Sequence, residues 1–295
     1  MAHDRILLTL CMGTLAATLV FPPASGAQTE TCKFTLIPVH DNGSATGINR
    51  SDTVVGTYIV IANGQGYFRG FIRESDGRVT TYQVPGSQST YLTGINDKGA
   101  MVGGFNYQVA AQAYGFKLTG SKFGRIIYPG AGITDPSGIN NKGEIVGTES
   151  ANISSPGKGF LLSDGQFTDI QFPGAAATGA NGINDLGVIV GSYSDQNNAT
   201  HGFVLVKGQY ISLDFPGAVF TRATGINNAG EIVGQYVMIN GALQSFIYED
   251  GQFEAVNIPR TYRSSINAVN ARGDFTGDTF TFRQTQPSFL ATNCK

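Results

Sequence analysis

The chain has no tryptophan, only three histidines and three cysteines, and just 14% of its 295 residues are charged. Each scarcity removes a class of function. Lys plus Arg number 19 against 21 Asp plus Glu, so no basic stripe exists to track a phosphate backbone, and nucleic acid is not an expected partner. Beyond residue 27 the histidines are His40 and His201, far apart in sequence. No Gly-x-Ser-x-Gly elbow, His-Glu-x-x-His pair or paired-cysteine metal signature accompanies them, so neither a metal nor a cofactor is implied. No second long apolar run follows the N-terminal one, and no membrane span is expected in the mature chain. Without tryptophan, stacking on a sugar would fall to tyrosines such as Tyr58, Tyr107, Tyr193 and Tyr236.

What is present begins with an export signal. Asp4 and Arg5 precede the apolar run 6–21, then Pro22-Pro23 and the small-residue site Ser25-Gly26-Ala27. This is the order of a secretory leader cleaved after Ala27. The run is shorter than the roughly 20 residues of a spanning helix, and Cys11 lies inside it. Residues 1–27 are therefore expected to be a signal peptide, and 28–295 a secreted, monomeric protein, extracellular or periplasmic.

The mature part is built of repeats. Gly-Ile-Asn occurs at 47–49, 94–96, 138–140, 182–184 and 225–227, with a decayed copy at Ala268-Val269-Asn270. Successive asparagines are 47, 44, 44, 43 and 43 residues apart. A glycine follows each Asn by seven residues, from Gly56 to Gly277, and a Gly-Phe or Ser-Phe pair ends at Phe71, Phe116, Phe160, Phe203, Phe246 and Phe289. A proline stands eleven residues before each Asn, from Pro38 to Pro259. A period in the forties, divided into short segments by turn residues, marks a propeller blade; a helical repeat would need a 3.6-residue apolar period that is missing. The expected fold is all-β: a six-bladed β-propeller with four strands per blade.

In the fourth copy these strands are expected at about 179–184, 188–193, 202–206 and 209–215. Turns such as Asn184-Asp185-Leu186-Gly187 and Ser163-Asp164-Gly165 would join them, with Asn bonding its own turn and Gly supplying positive φ. The mature chain starts out of phase: Lys33 to Pro38 matches a fourth strand, whereas the last repeat stops after its third, Ser288 to Thr292. The N-terminal strand should therefore complete the last blade. Superposed repeats put Cys32 and Cys294 at the same hairpin-turn position, where a disulfide would close the ring in an oxidising compartment.

With these units the chain resembles the bacterial extracellular HAF-repeat family. The residues that match are Gly225-Ile226-Asn227-Asn228-Ala229-Gly230-Glu231-Ile232-Val233-Gly234, His201-Gly202-Phe203 and Phe215-Pro216-Gly217. The family's histidine is kept only at His201; the other copies have Arg69, Tyr114, Lys158, Gln244 and Pro287. The resemblance implies an exported bacterial propeller and brings no reaction or ligand.

Function must come from the loops. The interval from the glycine after each Asn to the next Gly/Ser-Phe pair runs 14, 12, 12, 11, 11 and 11, so length varies on the face away from the hairpin turns. Five residues before each Asn, at the expected channel mouth, stand Ser44, Tyr91, Asp135, Gly179, Arg222 and Ser265. Tyr91, Asp135 and Arg222 break the symmetry with an aromatic, an acid and a base, and are the candidate ligand-binding residues for a polar ligand such as a sugar. Solvated loop residues are the plainer reading of the same positions. The recurrent asparagines read as turn caps in preference to a polar ring or metal site. A glycosidase would need two facing carboxylates, for which Asp41, Asp135, Glu149, Asp195 and Asp278 are available, but no catalytic residue is singled out. The expectation is a non-enzymatic binding module for a glycan or an envelope or matrix component. A carbohydrate-active hydrolase or lyase, and a structural surface protein, are the alternatives.

Overall fold

The computed structural model describes residues 32–39, 43–107, 112–258, 261, 263–280 and 287–294. The expected signal peptide, Cys11, His40, Asp41 and Pro259 lie outside the described residues. Among the described residues there are 24 β-strands, and no helix is long and apolar enough to cross a membrane.

Turn chemistry sets the strands. In the fourth repeat they are Ala177–Ile183, Ile189–Ser194, Thr200–Val206 and Gln209–Leu213, each within about two residues of expectation. The amide of Gly187 donates to Asn184 O, and Gly187 has φ 77°, a backbone conformation that costs a glycine nothing. Asp164 and Gly165, at φ 50° and 77°, form the two-residue turn whose twist suits a hairpin.

Close packing explains the glycine seven residues after each Asn: at all six a Cβ would fall within 2.3 Å of a first-strand carbonyl oxygen, and at four of them a phenylalanine ring adds to this. Phe71, Phe116, Phe160, Phe203, Phe246 and Phe289 are all but completely buried. The ring of Phe246 lies over Gly234, where a Cβ would fall 2.4 Å from it, and Phe71, Phe160 and Phe203 lie over their own glycines in the same way. Second and third strands thus lock by fitting an aromatic ring into the space a missing side chain leaves, the close packing of which fixes their register.

The expected six separate sheets are a point of correction. The strands form five hydrogen-bonded sheets, four of four strands and one of eight. The eight-stranded sheet arises because a single parallel pairing, Thr200 with Phe220, joins the fourth repeat to the fifth. Equivalent residues touch between the second and third repeats, where Ala113 pairs with Ile133, and between the third and fourth, where Thr178 N donates to Gly157 O. The bridge is therefore a recurring contact between neighbouring repeats, extensive enough to merge sheets at one place only. The sheets stand around a central channel as a propeller.

Closure follows the expected phase. Lys33–Leu36 pairs antiparallel with Ser288–Thr292, from Lys33–Thr292 to Leu36–Phe289. Cys32 and Cys294 are joined by a disulfide with their Cα atoms 4.4 Å apart. Asn293 has φ 58°, matching Asp164 at φ 50° in the intact turn, so the bond spans the place where the hairpin is cut.

Candidate functional site at the channel mouth

The first strand of each repeat lines the channel, and each carries a bulge at the same place. Register shifts fall between Ala45 and Gly47, Leu92 and Gly94, Pro136 and Gly138, Ala180 and Gly182, Ala223 and Gly225, and Ile266 and Ala268. The extra residues are Thr46, Thr93, Ser137, Asn181, Thr224 and Asn267, all polar. A bulge leaves its extra residue out of the ladder and re-aims its side chain. Here several reach the neighbouring repeat: Thr46 Oγ1 donates to Leu92 O at 2.8 Å, Thr93 Oγ1 to Pro136 O at 2.6 Å, and Asn267 Nδ2 to Ala45 O at 2.8 Å.

Next to the bulges the glycines let backbones meet. A Cβ on Gly182 would lie 3.1 Å from Gly225 Cα, and one on Gly47 3.0 Å from Gly94 Cα. Deeper in, Ile48, Ile95, Ile139, Ile183, Ile226 and Val269 form an apolar waist between small cavities of about 100 and 70 Å3. The asparagines close the far end. Each donates its Nδ2 to the carbonyl of the next asparagine, from Asn49 to Asn96 at 3.4 Å round to Asn270 and back to Asn49 at 3.1 Å. Each Oδ1 meanwhile caps its own turn, as Asn184 does for Leu186 N and Val188 N, both at 3.0 Å. Turn capping, the preferred sequence reading, is half of their role; the polar ring set aside in its favour is the other half.

The six positions five residues before Asn lie in strands, not loops. Asp135 and Arg222 line one cavity of about 250 Å3 at the mouth, with Ser44, Asn181, Gln235 and Asn267. The Tyr91 hydroxyl neighbours the Asp135 carboxylate, and Arg222 donates to Asn181 Oδ1 at 3.1 Å. Burial raises Asp135 to about 6, against the opposing pull of the Tyr91 hydroxyl and the Arg222 charge. Burial and the neighbouring Asp135 carboxylate push the Tyr91 phenol well up. Crowding around the channel lowers Arg222 and Asp135 raises it, although the residue itself is exposed. Asp135 Oδ1 is buried beside this cavity and has no hydrogen-bond partner. A buried acceptor left so costs on the order of 1–3 kcal/mol unless something donates to it.

Tyr91 is not the open stacking platform its type suggests. Its ring lies across Gly104, where a Cβ would come within 2.2 Å, and its other side borders a second cavity of about 530 Å3. Tyr58 and Tyr236 are buried, Tyr236 stacked on Phe215 at 3.7 Å, so neither can serve a sugar. Tyr193 stacks on Phe172 at 3.7 Å and against His201 at 5.0 Å, and Tyr107 remains half exposed.

The carboxylate candidates disperse. Asp278 lies in the sixth repeat, opposite Asp135 in the third, and both its oxygens are occupied. Oδ2 accepts from Ser44 Oγ at 2.7 Å and Asn267 Nδ2 at 3.0 Å, and Oδ1 from Ala45 N at 3.0 Å and Ser288 Oγ at 3.3 Å. Burial still raises it to about 6. It ties the last repeat to the first. Asp195 caps its own loop, accepting from Asn197 N and Ala199 N at 2.8 Å each, and Glu149 pairs across strands with Thr134 and Lys158.

Asn181, Asn267 and the bulge threonines escaped the sequence reading. Their signal was there: the residue three before each Asn is polar in every repeat. The long interval of the first repeat is also not a loop. Val54–Ala62 and Gln65–Arg73 run nine residues each to a tight turn at Asn63-Gly64, so the insertion extends a hairpin above the mouth.

No protein-family model matches the chain, and no curated protein is similar to it in sequence. Solved structures do resemble it in fold. The fucose-specific lectin from Aleuria aurantia shares 11% identity over 87% of this chain and 93% of its own, at TM-score 0.53. The β-propeller domain of the Trilobed protease from Pyrococcus furiosus shares 8% over 90% and 96%, at 0.52. TolB from Acinetobacter baumannii shares 12% over 88% of this chain, which spans 66% of TolB, just under two thirds, at 0.51. At such identities the likeness shows the fold alone: an all-β propeller.

Proposed function

We propose that this protein is an exported, non-enzymatic binding module whose ligand, a terminal sugar of a glycan, sits at the channel mouth between Asp135 and Arg222. The observation behind this reading is Asp135 Oδ1, a buried acceptor without a partner beside a polar cavity of about 250 Å3. A sugar hydroxyl donating to it would relieve the penalty, while Arg222 donates to a second hydroxyl. A propeller lectin of similar length, the fucose-specific lectin from Aleuria aurantia, supports the class of ligand. The count of six blades belongs to this proposal, with the eight-stranded sheet taken as two, as does membership of the HAF-repeat family. Export agrees with the Cys32–Cys294 disulfide. Hydrolysis is the lesser reading, because Asp278, across the ring from Asp135, has both oxygens committed to donors.

Titration of a glycan panel into the oxidised protein, with product release scored in the same samples, is the test. Saturable binding lost in Asp135→Asn and Arg222→Ala, with melting temperatures retained, supports the proposal. Released oligosaccharide would replace it with a hydrolase.

A further inference from the structure

Beside the polar mouth lies a cavity of opposite character. It measures about 530 Å3 and is lined by Ile59, Phe68, Tyr91 and Leu92, with Thr57 and Ser44 at its polar edge. Ser44, Thr46 and Thr93 line both cavities, so the two are adjacent. The apolar wall comes from the extended hairpin of the first repeat, in which Ile59 and Phe68 are direct cross-strand partners. Alternation puts Ile61 on their face as well. Ile59, Ile61 and Phe68 are 36%, 69% and 45% exposed. Phe68 meets the Tyr91 ring edge-on at 6.3 Å, and the Tyr91 hydroxyl neighbours the Asp135 carboxylate. One aromatic side chain therefore borders the apolar compartment and neighbours, through Asp135, the wall of the polar one.

Such a face costs free energy in water in proportion to its apolar area. Natural ligand sites combine an apolar wall with a few fixed polar groups in this way. Resting on the reading above, we infer that the site takes an amphipathic glycoside, with the sugar ring at Asp135 and Arg222 and the apolar aglycone under Ile59 and Phe68. A free sugar would fill the polar mouth and leave the hairpin wall wet.

Matched methyl and octyl glycosides of glucose, galactose, mannose and fucose, titrated calorimetrically below their micelle-forming concentrations, provide the test. For the sugar that binds, the octyl glycoside is expected to bind at least tenfold more tightly than the methyl one. Ile59→Ser with Phe68→Ser should abolish that ratio, and Leu186→Ser, at a still more exposed apolar residue in the Asn184–Gly187 turn, should keep it. Equal affinities of a methyl and octyl pair would overturn the inference and leave the glycan reading standing. Binding of octyl glycosides alone, indifferent to Asp135→Asn, would overturn it as mere detergent adsorption. Binding of neither would overturn both readings together.

Discussion

Asn270 Nδ2 donates to Asn49 O at 3.1 Å, across 221 residues of chain, and completes the ring of bonds that links every repeat to the next. The same side chain accepts from Arg272 N at 2.9 Å and Asp274 N at 3.1 Å, so one amide closes the circle and shapes its own turn. Asn270→Ala should cost roughly 2–4 kcal/mol, from the lost bonds and the buried groups they leave behind. Urea denaturation measures it, and a change below about 0.5 kcal/mol would show that the disulfide seam holds the ring unaided.

The glycines under the phenylalanines are expected to be intolerant. An alanine at Gly234 would put its Cβ 2.3 Å from Arg222 O and 2.4 Å from Phe246 Cζ, where backbone as well as ring must move. Gly234→Ala should destabilise by more than about 3 kcal/mol, as much as Phe246→Ala. Gly187→Ala, with open space at its Cβ but φ 77°, should cost only about 1 kcal/mol. Melting curves of the three variants decide the order.

Reduction should lower the melting temperature. The Cys32–Cys294 bond encloses 262 residues, for which chain entropy gives an upper value of about 5–6 kcal/mol. Scanning calorimetry with and without dithiothreitol tests this. An unchanged transition would mean that the strand pairing of Lys33–Leu36 is enough to hold the seam.

Acidity should act on Asp278 in a definite direction. Its folded value of about 6 exceeds the ~3.9 of an unfolded aspartate, so between these values the folded chain binds more protons than the unfolded one. Its contribution to stability therefore falls as pH rises through that window and is constant above it. The stability of the native protein relative to Asp278→Asn should drop by roughly 1–3 kcal/mol between pH 4.5 and 7.5. Comparing the two proteins cancels the other groups that titrate, and a difference independent of pH would refute the assignment.

At the mouth, Arg222→Ala should weaken sugar binding at least tenfold while leaving Tyr91 beside Asp135. The same change removes the Asn181 partner. Asn181→Ala is accordingly expected to weaken binding by a smaller factor, through the orientation of Arg222, and isothermal titration of both variants checks the order.

Repetition is what made much of this legible in the chain itself. The strand boundaries of Ala177–Leu213, the turns at Gly187 and Gly165 and the buried phenylalanines follow from residue types acting over a few positions. The out-of-phase strand at Phe34, and two cysteines at one cut turn, were enough to indicate how the ring closes. Comparing repeats also brought Asp135 and Arg222 to one mouth, because equivalent positions of a ring face a common axis.

Tertiary structure decided the rest. The asparagine ring depends on one repeat's amide reaching the next repeat's carbonyl, and the orphaned Asp135 Oδ1 on which donors its neighbours happen to spend elsewhere. Merging of two sheets by Thr200 and Phe220, and the hairpin that sets Ile59 and Phe68 beside Tyr91, likewise turn on contacts between segments distant in sequence. Local pattern determines which backbone each repeat adopts, since turns and alternation act over a few residues. Which polar atoms remain unpaired, and which apolar faces remain open, is fixed only when the repeats close on one another.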